Sequence, residues 1–480
     1  MTQTITFGTD GWRAVMDELL TDENVVRIAQ AFVRYQRRGN AGALRPVAVA
    51  YDGRRNSRHY ASLFAEVLSS HGIRVLVSDR IVPTPVLSYT VKHRGCGAGV
   101  MITASHNPPK YNGIKFKAAY GGPFMSEETK KVEDCLAPEP EAFTPDRHLI
   151  EECDFLPDYI LQLKTLVDFD RLRSFAASSA SHAAVMIDSM GGAGQTLLED
   201  LLAGCGWRAQ TLFGAPDEQF YGRSPEPVSQ NLEPLKYNVS VTDAVLGIAT
   251  DGDADRCSVV YDDGEWVNAQ ETILLLVKHL REQKGWSGGI IKTASVTDKL
   301  RSLAESWGVP VYDTLVGFKY ITEIMLKEDC MFGGEESGGF GYKGHIPERD
   351  GILSGLFFAE MIAQTGRSLH ELVAEIRAQA GPLHYRRIDA AYEWPDRGEL
   401  LPAIVRAAPA DLAGFAITDI RTYEELEQMT GVKLQCGAGR WLLLRTSQTE
   451  PLVRLYAEGR SDGEVDVLLE AGRQLARLDR

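Results

Sequence analysis

A serine, three aspartates, an acidic glycine-rich loop and an arginine-led polar loop are the parts of this 480-residue chain whose residue types and spacing suit group-transfer chemistry. The serine lies in Thr103-Ala104-Ser105-His106-Asn107-Pro108, between the apolar run Gly97 to Ile102 and the pair Pro108 and Pro109. Proline stops an ordinary helix from starting there, so the spacing predicts a constrained turn after a short strand. An exposed hydroxyl on that turn can reorient and carry a phosphoryl group. Loop serines also serve plain turn chemistry by bonding nearby backbone, so this segment gains its meaning from the other three.

In Asp251-Gly252-Asp253-Ala254-Asp255-Arg256, which follows the apolar run Ala244 to Thr250, carboxylates recur at every second position. On extended backbone they share one face, with small Gly252 and Ala254 between them. Gathered carboxylates repel unless a cation joins them. An oxygen-only donor set without cysteine or a nearby histidine favours magnesium over zinc, the plain alternative being a solvated acidic turn. Gly333-Gly334-Glu335-Glu336-Ser337-Gly338-Gly339 combines backbone that permits close ligand approach with acceptors, Glu335 and Ser337, for vicinal sugar hydroxyls. The same composition suits a hinge. Arg445-Thr446-Ser447-Gln448-Thr449-Glu450-Pro451, after the apolar Trp441 to Leu444, offers a guanidinium, short hydroxyl donors and backbone N–H groups as an anion nest for phosphate, or simply a polar hairpin connection.

The elements that must position these loops read as repeated α/β units. Thr21-Asp22 caps an expected helix with apolar positions Val25, Ile28, Ala29, Phe32 and Val33, and strands follow at Val47 to Ala50 and Val75 to Val77. After the Pro-rich acidic stretch Ala137 to Glu141, a second unit opens near Ala183 to Asp188 and closes at the aspartates. A third runs through helix Glu271 to Arg281, strand Gly289 to Lys292, helix Thr297 to Trp307 and strand Val309 to Tyr312. Beyond about residue 380 the pattern changes to strands plus a terminal helix near Val465 to Leu478. The expected fold class is therefore α/β with a smaller α+β C-terminal domain, the domains spanning 1–150, 151–262, 263–380 and 381–480. No strong residue-level repeat is visible. With 44% hydrophobic and 24% charged residues the chain can bury several cores, and a net charge of −15 argues against nucleic acid or anionic membrane as a partner. Seven scattered cysteines without paired spacing, no basic-then-apolar leader and no apolar run near the roughly 20 residues that span a bilayer suggest a reduced, cytoplasmic protein.

Together and in this order, the four segments resemble the α-D-phosphohexomutase family, which includes phosphoglucomutases, phosphomannomutases and phosphoglucosamine mutases. The resemblance begins at Phe7-Gly8-Thr9-Asp10-Gly11-Trp12-Arg13, runs through Tyr51-Asp52-Gly53-Arg54 and Asn112-Gly113-Ile114-Lys115, and ends in the phosphate loop. Gln448 stands where many members have glycine or asparagine, and Gly339 where several have histidine. The resemblance implies three related α/β domains and a mobile fourth around one central cleft. It implies reversible transfer of phosphate between the 1- and 6-positions of a hexose through a hexose 1,6-bisphosphate that also serves as activator. Glucose is the first expectation, mannose or both sugars the second, glucosamine the third.

The same resemblance assigns roles. Ser105 is the phosphoserine; Mg2+ is held by Asp251, Asp253 and Asp255 and bridges to Ser105; Arg256 adds positive charge. Lys115 matches the general acid/base position and Arg13 its basic partner, while His106 is a candidate base by adjacency alone. Arg445, Ser447, Gln448 and Thr449 hold the non-reacting phosphate, Lys292 matches a further phosphate contact, and Glu335 and Ser337 hold sugar hydroxyls. Gly317, in Thr314-Leu315-Val316-Gly317-Phe318-Lys319, belongs to the loop that reads sugar orientation, and its Gly-Phe-Lys ending looks more like the glucose and mannose branches than the amino-sugar branch. A non-catalytic sugar-phosphate-binding regulator, the reading from another class, should have lost the serine, an aspartate or the arginine; this chain keeps all of them.

Overall fold

Runs such as Val47-Ala48-Val49-Ala50-Tyr51 are buried at every position, the pattern of strands covered on both faces. In the computed structural model, which describes residues 5–8, 10–39, 44–178, 183–392, 397–446 and 452–478, such runs form the inner strands of three mixed sheets. The first contains β1 (Trp12–Val15), β2 (Val47–Tyr51), β3 (Val75–Ser78), β4 (Ala98–Ile102), β5 (Tyr111–Ala118) and β6 (Ile150–Cys153), in the order β1-β5-β4-β2-β3-β6. The second contains β7 (Ala184–Asp188), β8 (Arg208–Leu212), β9 (Leu246–Thr250) and β10 (Cys257–Val260), ordered β10-β9-β7-β8. The third contains β11 (Gly289–Thr293), β12 (Val311–Thr314), β13 (Cys330–Gly334) and β14 (Phe340–Tyr342), ordered β12-β11-β13-β14.

One unit recurs in all three. A central strand pairs in parallel with two others, and the later of these pairs antiparallel with the strand that follows it: β2, β3, β4 and β5; β7, β8, β9 and β10; β11, β12, β13 and β14. The connections β4–β5, β9–β10 and β13–β14 are thus topological equivalents. They carry Ser105, the three aspartates and the Glu335–Ser337 loop respectively. The repeat that the residues do not show is present as strand order.

The fourth unit is antiparallel. Strands β15 (His384–Ala391), β18 (Asp419–Glu425), β19 (Gln428–Gln435), β20 (Trp441–Thr446) and β21 (Leu452–Gly459) are ordered β15-β21-β20-β19-β18, with a small hairpin of β16 (Asp411–Leu412) and β17 (Phe415–Ala416) beside them. Helices Arg397–Arg406 and Asp462–Leu475 pack on this sheet over a core that includes Leu434, Leu442, Leu444, Leu455 and Leu468.

Caps explain where helix ends depart from the pattern of the sequence. Asn268 Oδ1 accepts from Gln270 N, which starts one helix at Ala269; it runs to Lys278 and passes into a wider turn, His279–Gln283. Thr297 Oγ1 accepts from Lys299 N, so Thr297 lies in the turn ahead of helix Lys299–Trp307. Ser461 Oγ accepts from Glu464 N and begins the last helix at Asp462, ahead of Val465.

Two elements cross the boundaries that the sequence suggests. Strand β6 pairs with β3, so the first sheet continues past residue 150. Helix Gly351–Thr365, buried nearly all round, comes from the third unit yet packs against β9 and β10 of the second. Phe357 on this helix meets Tyr342 at a centroid distance of 4.9 Å and Trp286 at 5.9 Å. Phe357→Ala is expected to cost about 3–5 kcal/mol of stability, felt by the second and third units together. Denaturant unfolding followed by hydrogen exchange checks this; a loss confined to one of the two units counts against their shared core.

Candidate active site

Ser105 sits on a backbone turn with φ 53°, the left-handed region, and only 1% of its surface is exposed. The exposed hydroxyl expected from the sequence is instead buried, because the loop is clamped from below. Arg54 donates to the carbonyl oxygens of Ser105 (2.6 Å), Asn107 (2.7 Å), Pro108 (3.1 Å) and Tyr111 (2.9 Å). Asp52 pairs with Arg54 and accepts from Thr103 Oγ1, and Thr103 Oγ1 accepts from Ser105 N. The Tyr51-Asp52-Gly53-Arg54 segment therefore works as a mould for the serine turn.

The aspartates meet Ser105 from the second unit. Their backbone forms a tight turn, with Ala254 at φ 55°, and not the extended strand on which alternation would align them. The turn nevertheless gathers them: one oxygen from each of Asp251, Asp253 and Asp255 lies within 4.8 Å of the others, all fully buried. Ser105 Oγ donates to Asp251 Oδ2 at 2.9 Å. Gly252 makes this approach possible, since a Cβ there would lie 2.4 Å from Ser105 O. Strand-like contacts join the aspartate turn to the Glu335 loop, where Arg256 bridges Gly339 and Cys257 N donates to Gly338 O.

Crowded carboxylates need compensation, and the fold supplies it. Lys115, completely buried, places Nζ 2.8 Å from Asp253, 3.2 Å from Asp255 and 3.0 Å from Asp10. Burial works against its charge, but the three carboxylates prevail and raise its pKa above that of a free lysine. Arg349 pairs with Asp10 at 2.6 Å and Asp255 at 2.7 Å. Burial raises the Asp253 carboxyl, yet Lys115 outweighs it and holds the group below the usual range. Asp251 goes the other way, pushed well up by burial and by Asp253 and Asp255. Asp253 Oδ1 and Asp255 Oδ1 are buried without a hydrogen-bond partner. Unpartnered carboxylate oxygens beside a hydroxyl are a donor set that fits a hard divalent cation.

Above this group opens a cavity of about 270 Å³ lined by all four units. Of the residues singled out in the sequence, Arg13, His106, Arg256, Gly317, Glu335, Ser337 and Arg445 line it. His106 Nδ1 is 3.4 Å from Ser105 Oγ, and its pKa lies well below that of a free histidine because of burial and the nearby Arg256, Arg13 and Lys115 cations. Ser447, Gln448 and Thr449 lie outside the described residues. Lys292 is not among the described residues lining the cavity: it is buried between Asp298 (2.9 Å) and Asp313 (3.3 Å) and donates to Val296 O. Lys115 stands behind the cavity wall among the carboxylates and is no surface lysine.

Four lining residues carry no signal in any one segment. Asp10 stands in the Phe7 to Arg13 motif without an assigned role until its partners Lys115 and Arg349 are seen. Arg349 lies against Gly339: a Cβ at 339 would come within 2.4 Å of Arg349 Cδ, so this arginine fills the space that a side chain at 339 would need. Arg454 and Arg445 face each other across β20 and β21, and Arg387 and Arg454 share the carboxylate of Asp389. Strand register, absent from the sequence, aligns these arginines.

A buried hydroxyl touching a carboxylate triad, under a cavity rich in arginine and shared by three equivalent loops, defines a phosphohexomutase, an isomerase. Family models described as phosphoglucomutase/phosphomannomutase match the chain in sequence: alpha/beta/alpha domain I at 4–142, domain II at 157–264, domain III at 268–379 and the C-terminal domain at 417–473. The chain belongs to this phosphoglucomutase/phosphomannomutase family. A relative from Methanopyrus kandleri named "Probable phosphoglucosamine mutase" is 31% identical, the match covering 95% of this chain and 94% of the relative. One from Thermococcus kodakarensis named "Phosphoglucomutase/phosphomannomutase" is 29% identical over 98% of each chain. The solved structure of a "putative phosphomannomutase" from Thermus Thermophilus superposes with a TM-score of 0.85 at 35% identity, covering 99% of this chain and 100% of that one.

Gly252→Ala is expected to push the aspartate turn away from Ser105 and to lower turnover about a hundredfold, the usual consequence of a 1 Å misplacement of reacting groups. Steady-state kinetics decide it; activity within threefold of wild type would contradict the contact.

Proposed function

We propose that this enzyme interconverts hexose 1-phosphate and hexose 6-phosphate, with glucose as the preferred sugar, through a phosphate carried on Ser105 and a bisphosphorylated intermediate that turns over in the cleft. The observation that carries the reading is Ser105 Oγ at 2.9 Å from Asp251 within the buried triad, at the floor of the shared cavity. Asp251, Asp253 and Asp255, with phospho-Ser105, hold Mg2+; when bound it polarises the phosphoryl group and offsets the charge of the transfer. Arg13 and Arg256 offset further charge from the cavity side. Arg445, with Ser447, Gln448 and Thr449, anchors the phosphate that is not reacting, while Glu335 and Ser337 hold hydroxyls common to both sugar poses.

The attacking sugar hydroxyl must give up a proton as its oxygen bonds phosphorus and the Ser105 oxygen leaves. Lys115 is the first candidate for this transfer by its motif. His106 has an observation in its favour, because it faces the cavity and its low pKa keeps the ring in the neutral, accepting form. Lys292, enclosed by Asp298 and Asp313, acts on phosphate only if these pairs open.

The glucose preference draws on the Gly317-Phe318-Lys319 segment at the cavity wall. Mannose, or both sugars, is the second reading and glucosamine the third; the relatives' names include the amino-sugar and the glucose/mannose activities. Turnover measured on glucose 1-phosphate, mannose 1-phosphate and glucosamine 1-phosphate, with the matching bisphosphate present, is expected to be fastest for glucose. A faster rate on glucosamine 1-phosphate would reassign the substrate.

Ser105→Ala is expected to abolish nearly all mutase turnover and to remove a single phosphoryl adduct seen by intact-protein mass spectrometry of the wild type. Retained turnover in this variant would exclude the covalent route. A wild type that binds sugar phosphate without turning it over would instead favour the regulator.

A further inference from the structure

The β18–β19 hairpin ends in a two-residue turn, Leu426–Glu427, with φ of 47° and 65°. Both values lie in the left-handed region, where side chains other than glycine are strained. The register shifts just before it, between Tyr423 and Glu424, which bends the strand and re-aims its end. This unusual tip delivers one carboxylate to two other units. Glu425 Oε1 accepts from Ser126 Oγ at 2.6 Å, on the first turn of helix Ser126–Glu133, and from Lys319 Nζ at 2.5 Å, on the first turn of helix Phe318–Lys327. The Lys319 and Glu425 side chains are only 4% and 9% exposed, so water screens this pair little. Lys319 also lines the cavity, directly after Gly317 and Phe318.

We propose that Glu425 is a positioning residue: it clasps the fourth unit to the first and third and holds Lys319 and the Gly317–Phe318 turn in place against the sugar. The inference rests on the reading of the cavity as a hexose phosphate site. Breaking the clasp leaves Ser105, the aspartates and the arginine anchors untouched, so it loosens the wall that meets the sugar without removing a reacting group. The predicted signature is weakened substrate binding with the chemical step preserved.

The test compares wild type with Glu425→Gln, Glu425→Ala and Ser126→Ala by hydrogen exchange and by steady-state kinetics on the preferred hexose 1-phosphate. Glu425→Ala is expected to speed exchange of the 316–320 and 126–130 amides, leave the β19 and β20 amides unchanged, and raise KM about tenfold with kcat within threefold. Glu425→Gln, which keeps an acceptor for Ser126 but loses the charge, is expected to fall between Glu425→Ala and wild type. Ser126→Ala is expected to protect 316–320 as in wild type while freeing 126–130. Unchanged exchange at 316–320 in Glu425→Ala, or a lowered melting temperature with an unaltered KM, would overturn the proposal. If wild type turns over no hexose phosphate, the functional reading fails, while the exchange measurements still decide whether the clasp exists.

Discussion

Three carboxylates confined within 4.8 Å in a fully buried pocket are the constraint around which this molecule is organised. Each burial would be costly alone, and their mutual repulsion adds to the cost. The chain answers with cations from three distant segments: Lys115 from the first unit, Arg349 from the third, and Arg256 beside the aspartates themselves. The balance is incomplete, since Asp253 and Asp255 each keep an oxygen without a hydrogen bond and Asp251 is pushed toward its protonated form. That residual imbalance makes the pocket a donor set that fits a divalent cation, and Asp251 accepts the hydroxyl of Ser105.

Strand order explains how segments so far apart arrive together. The same four-strand unit occurs three times, and each time the connection into its antiparallel strand holds a functional loop. The three loops touch: Gly252 backbone lies against Ser105, Arg256 bridges Gly339, and Gly351 N donates to Ala254 O. Close backbone contact between loops of different units makes the serine, the carboxylates and the Glu335 loop one mechanical object. Helix Gly351–Thr365, lent by the third unit to the second, fixes that object further through a shared apolar core.

The fourth unit contributes differently. Among the described residues, its antiparallel sheet carries no piece of the carboxylate pocket, but the register of β15, β20 and β21 brings Arg387, Arg445 and Arg454 to the cavity. It is joined to the third unit through polar contacts, among them Lys433 to Ala294 O and Arg421 with Asp313. The joint is apolar as well, since Ala294 of the third unit is buried with Trp441, Leu443 and Tyr456 of the fourth.

The sequence by itself determined the kinds of chemistry. Apolar strands ending in Ser105, in the aspartates and in the glycine-rich acids are local patterns, and local spacing is what a sequence records. It also showed the alternation of α/β units and a change of pattern near residue 380, though not where one unit ends, since β6 continues the first sheet past residue 150. Only the tertiary structure decided what those groups do to one another. The serine is buried, not exposed, because Arg54 holds four carbonyls of its turn. The aspartates meet through a turn and not along a strand, and Lys292 is held by Asp298 and Asp313 outside the cavity lining. Asp10, Lys115, Asp255 and Arg349 form one network although up to 339 positions separate its members, because charges in a dry interior must be neutralised by whatever the fold brings near, and proximity in space leaves no mark on spacing along the chain.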